Sequence, residues 1–123
     1  MQLENNYYQI LSQQTTGNQT VFQLALLPDC EIYRGHFPGH AVCPGACHIG
    51  MLKECVAKLA GKPLFIRTIR QCRFTAIASP AICPRLNLTV TYNPISNGMA
   101  ITACLADGKK VYMDYKGDFE MCR

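Results

Sequence analysis

At 123 residues, 49% of them hydrophobic and 16% charged, the chain has room for one domain over residues 1–123 around one core, which excludes a multidomain enzyme. A near-neutral mean hydropathy of +0.02 excludes disorder, which needs low hydrophobicity and high net charge. The formal charge of +4 is mild and the aromatic residues are not interleaved with Lys and Arg, so no nucleic-acid partner is expected, whereas an acidic partner would suit the surface.

The first residues, Met1 to Tyr8, have neither the basic start nor the apolar run of a secretory signal, and a cytoplasmic address is expected. Eight cysteines then read as free thiols, several of them packing as small hydrophobes. In 7–14 and again in 19–27, β-branched, aromatic and Leu residues alternate with polar ones across a Thr16-Gly-Asn turn, which predicts a β-hairpin. Residues 28–45 hold too many prolines and glycines for a regular element and predict an ordered loop, because Ile32, Tyr33, Phe37, Val42 and Cys43 would not sit in a solvated one. Over 46–59 the residues Ile49, Leu52, Cys55, Val56 and Leu59 recur at three- and four-residue steps, the stripe of an enclosed helix that Gly61 and Pro63 then end. Strand-like stretches follow at 64–78, 85–93, 99–106 and 110–118, separated by turn chemistry. Charged residues at 53, 54, 58, 67 and 70 interrupt the most apolar segments, so no membrane span is expected. The order predicts an α+β fold in which an antiparallel sheet wraps one helix.

Chemistry concentrates in Gly35-His36-Phe37-Pro38-Gly39-His40-Ala41-Val42-Cys43-Pro44-Gly45. A neutral imidazole at His36 can take a proton, the first N–H groups of a helix can polarise a carbonyl, and Gly45 has no side chain to keep a substrate oxygen from the backbone. Four ligand-type residues, His40, Cys43, Cys47 and His48, crowd within nine positions, the adjacent Cys47 and His48 leaving a helix on different faces, a poor pattern for zinc, and no metal is expected.

This stretch resembles the signature of the hot-dog-fold 3-hydroxyacyl-[acyl-carrier-protein] dehydratases, close to GHFPxxPVxPG followed by a helix. Gly35, His36, Phe37, Pro38, Val42, Pro44 and Gly45 match it, with Ala41 in place of a proline. The resemblance implies a hot-dog dimer with acyl tunnels at the subunit interface. It implies elimination of water from a 3-hydroxyacyl thioester to a trans-2-enoyl thioester, with no cofactor beyond the phosphopantetheine of an acyl carrier protein. His36 would be the base, the Gly45 amide would hold the thioester carbonyl, and Phe37, Pro38, Val42 and Gly50 would border the acyl chain. His40 falls at a variable position and reads as a loop or tunnel-rim residue.

In that family an acidic residue from the neighbouring subunit stands fourteen positions after the histidine; here that position is Gly50. Glu54, one helical turn further along the same face, is the candidate replacement. His48 lies about 160° around the helix from Gly50 and is expected to face elsewhere. The alternative is a non-catalytic or half-site acyl-binding subunit, completed in a heterodimer by an acid-bearing dehydratase-like chain. Arg67, Arg70 and Arg73 are candidates for docking the carrier, although strand alternation predicts that they cannot all share one face.

Overall fold

The computed structural model describes residues 2–35, 39 and 41–122. Its elements are β1 (Tyr8–Thr16), β2 (Gln19–Leu26), a one-turn helix α1 (Ile32–Gly35), the long helix α2 (Gly45–Ala60), β3 (Leu64–Phe74), β4 (Arg85–Ile95), β5 (Gly98–Ala106) and β6 (Val111–Met121). The six strands form one antiparallel sheet in the order β1-β2-β4-β5-β6-β3, so β1 and β3 are its edges. This is the expected α+β arrangement, with alternate residues of β2, β4, β5 and β6, among them Phe22, Leu24, Leu88, Val90, Ile101, Leu105 and Phe119, buried in the core that takes in α2. No helix among the described residues is long and apolar enough to cross a membrane.

Helix α2 has the predicted stop: Gly61 takes a φ of 67° and its N–H donates to the Lys58 carbonyl, the left-handed cap that glycine adopts without a Cβ penalty. Its buried face differs in phase from the expected stripe. Cys47, His48, Met51, Leu52, Cys55 and Val56 are buried, while Ile49 and Leu59 are only partly covered. With apolar residues on most of its circumference, periodicity alone did not select the face.

Three further departures have local causes. Arg34 and its neighbours form a helical turn, α1, within the stretch expected to be all loop. β4 runs through Pro94 to Ile95, because the Tyr92 N–H that faces β2 is met by the Asn18 carbonyl and Pro94, two residues on, faces the side where β2 has already ended. In β3, register shifts between Ile66 and Thr68 and between Ile69 and Gln71 leave Arg67 and Arg70 bulged. The bulges override strict alternation: Arg70 pairs with Asp118 at 2.6 Å and Arg73 lies 3.9 Å from Asp114, two acids four residues apart on β6, so these arginines share a face. The eight cysteines are all free.

Candidate functional site

Among the described residues the start of α2 is bare. Pro44 occupies the N-cap position in an extended conformation and has no side chain to cap with, and the first backbone donors to turn inward are Cys47 and His48, both to the Pro44 carbonyl. The Gly45 and Ala46 amides before them have no intrahelical acceptor, at the end of the helix where the dipole is positive. The incoming loop is fixed by the Cys43 N–H, which donates to the Ala78 carbonyl at 2.8 Å and so ties it to the chain leaving β3.

Between these two segments lies a cavity of about 170 Å³ bordered by Val42, Gly45, His48, Phe74 and residues 76–78. The glycine matters sterically, since a Cβ at position 45 would fall 2.7 Å from Phe74 Cζ. Phe74 and Ile77 are 50% and 69% exposed, an apolar rim around the uncapped amides. Such an arrangement can receive an apolar chain with a carbonyl at its end. Val42, expected at the acyl chain, lines this cavity. His36, Phe37, Pro38 and His40 lie outside the described residues.

His48 was expected to face away from Gly50, and it does: it turns into the cavity beside Gly45. It is 3% exposed, its ring centroid is 6.1 Å from that of Phe74, and its Nδ1 has no hydrogen-bond partner among the described residues. Desolvation lowers its pKa to about 4, so the ring is neutral. Sequence reasoning missed this residue as a site member. The available signal was its i+3 spacing from Gly45, which places the two on one face.

The Gly50 face is arranged differently. A Cβ there would fall 2.8 Å from Leu3 Cδ1, and Glu54 accepts the Leu3 N–H at 2.8 Å, the Glu4 N–H at 2.9 Å and the Tyr8 hydroxyl at 3.0 Å. Glu4 in turn pairs with Lys58 at 3.1 Å. Gly50, Glu54 and Lys58 recur every four residues, so the N-terminal segment is fastened along one stripe of α2. Glu54 is thereby committed to backbone amides and a buried tyrosine. A surface depression of about 380 Å³ opens beside Leu3, Gly50, Lys53 and Glu54.

Of the candidate docking residues, Arg70 and Arg73 are paired to β6 acids, and the exposed side chain of Arg67 makes no ion pair or hydrogen bond among the described residues. No group of three or more His, Cys, Asp or Glu side chains that could hold a metal occurs among the described residues.

The bare start of α2 thus opens on a cavity bordered mainly by apolar residues. The model of the ApeI-like family (ApeI dehydratase) matches residues 12–112. The chain is 33% identical over 103 residues to the 3-hydroxyacyl-[acyl-carrier-protein] dehydratase FabZ of Ligilactobacillus salivarius, covering 76% of this chain and 72% of that protein. It is 28% identical over 88 residues to FabZ of Pediococcus pentosaceus, covering 66% of this chain and 59% of that protein. Among solved structures, the dehydratase heterocomplex ApeI:P from Xenorhabdus doucetiae superposes with a TM-score of 0.68 at 19% identity, over 93% of this chain and 96% of the other. An uncharacterized protein from Erwinia carotovora subsp. atroseptica gives 0.58 at 17% identity, with 89% of each chain covered. The chain belongs to the ApeI-like dehydratase family.

Proposed function

We propose that this chain is a hot-dog-fold subunit of a dehydratase acting on 3-hydroxyacyl thioesters carried by an acyl carrier protein, in fatty-acid-like or polyene synthesis in the cytoplasm. The uncapped Gly45 end of α2, facing the apolar cavity under Phe74, carries this reading. The thioester carbonyl sits on the Gly45 amide, where the helix dipole stabilises the enolate that forms as His36 removes the proton alpha to the carbonyl. Loss of the 3-hydroxyl as water then gives the trans-2-enoyl thioester. No cofactor enters apart from the carrier's phosphopantetheine.

The Leu3–Gly50 contact and the triple engagement of Glu54 favour the half-site form of this reading. Glu54 serves the fold, and the proton for the departing hydroxyl comes from an acid-bearing dehydratase-like partner chain. Partnership in the Xenorhabdus heterocomplex lends support to such an assembly. The test is dehydration of a 3-hydroxyacyl carrier substrate by the protein alone and with an acid-bearing partner. Low turnover alone, a gain with the partner, and loss of that gain in His36→Gln are expected. Partner-stimulated turnover that survives His36→Gln would overturn the assignment of the base.

A further inference from the structure

His48 is the buried polar side chain of α2, and among the described residues the rest of the wall around it is Val42, Cys43, Gly45, Phe74 and the apolar residues 76–78. A polar group on a largely apolar cavity wall orients a ligand rather than merely enclosing it. The backbone of His48 lies three residues beyond Gly45, about 4.5 Å of axial rise, and its side chain tilts back toward the helix start. A chain entering with its carbonyl at the Gly45 amide would therefore bring its next few atoms past the imidazole.

Resting on the acyl-thioester reading above, we propose that His48 is a positioning residue that hydrogen-bonds the oxygen on the 3-position of the bound acyl chain. A neutral imidazole offers one N–H donor and one acceptor nitrogen, and a hydroxyl can answer either. An Nδ1 without a partner among the described residues, in an apolar surround, is costly, and an apolar chain without that oxygen cannot satisfy it. His48 thus distinguishes substrate from product: elimination removes the 3-oxygen as water, and the enoyl chain left behind loses the hydrogen bond. Being neutral, the ring holds the hydroxyl in place for a proton supplied by another group.

Calorimetry with a hydrolysis-inert 3-hydroxyacyl pantetheine amide and its saturated counterpart tests this. The unmodified protein should prefer the hydroxylated ligand by up to about tenfold, the worth of one neutral hydrogen bond. His48→Leu should bring the two affinities together by weakening only the hydroxylated ligand, and His48→Gln should restore part of the preference. In the unmodified protein, the ¹⁵N resonances of His48 should shift with the hydroxylated ligand and not with the saturated one, which tests the contact without relying on any variant. Equal binding of both ligands by the unmodified protein, or a preference that persists in His48→Leu, would overturn the role of His48 while leaving acyl binding intact. Binding of neither ligand would overturn the acyl-thioester reading and this inference together.

Discussion

Leu3 lies across Gly50, close enough that a β-carbon at position 50 would meet Leu3 Cδ1 at 2.8 Å. The contact is held by Glu54, whose carboxylate takes the backbone N–H groups of Leu3 and Glu4. The Gly50 face of α2 is therefore partly overlain by this chain's own N-terminal segment.

Glu54→Gln tests whether that carboxylate is structural. The amide keeps one acceptor oxygen but turns its NH₂ toward donors, leaving partly buried N–H groups unmet. Stability should fall by about 1–3 kcal/mol, read as a lower denaturant midpoint. Dehydration by the assembled complex should change little. A loss of activity of about 10² or more with unchanged stability would return Glu54 to the role of general acid.

Gly45→Ala should act through Phe74. The new methyl group would overlap the ring, whose half-exposed side chain can swing away, so the cost to stability is small and the damage falls on the cavity mouth. Activity is expected to fall at least about tenfold, as for a weakened oxyanion contact. In a double-mutant cycle, Phe74→Ala combined with Gly45→Ala should show coupling rather than additive losses. Additivity would mean that the two residues do not share the site.

The neutral state of His48 has a signature in acid. Its pKa is lowered by burial from 6.5 to about 4, so below pH 6.5 the unfolded chain binds a proton that the folded chain refuses. The resulting loss of stability is absent above pH 6.5 and grows to about 3 kcal/mol as the pH falls to 4. Denaturant titrations should show the unmodified protein losing this much relative to His48→Leu over that interval. Parallel curves would show that the imidazole is accessible to protons.

Carrier docking should depend on Arg67 more than on its neighbours. Arg70 and Arg73 already face Asp118 and Asp114, whereas Arg67 stands exposed at a bulge. Arg67→Glu should raise KM for a carrier-bound substrate at low salt with kcat unchanged, and added salt should shrink the difference. An unchanged KM would remove this surface from carrier recognition.

What was legible in the sequence was what local chemistry dictates. Gly17 and Asn18 mark the first hairpin turn, Gly61 ends α2, and alternation marks the strands. The site's helix start at Gly45 was legible for the same reason, because Pro-Gly before an apolar periodic run marks a bare N-terminus. What was hidden depends on contacts far apart in sequence. Pro94 reads as a breaker until β2 is known to end before it. The arginine spacing reads as alternating faces until the bulges are seen. Nothing in Leu3 or Glu4 announces that they lie on Gly50 and Lys58 some fifty residues away. The angle of His48 to Gly50 says only where the ring does not face; its angle to Gly45 is the informative one.

The most direct test of the half-site account is the steady-state rate at which the protein alone dehydrates a 3-hydroxyacyl carrier substrate, compared with Leu3→Ala/Gly50→Glu. Trimming Leu3 makes room for a carboxylate at position 50, and a supplied general acid is typically worth about 10²–10⁴-fold. The account predicts slow turnover by the unmodified protein, little gain from Gly50→Glu alone because Leu3 blocks it, and a clear gain in the double variant. Fast turnover by the unmodified protein, with no gain in the double variant, would contradict it.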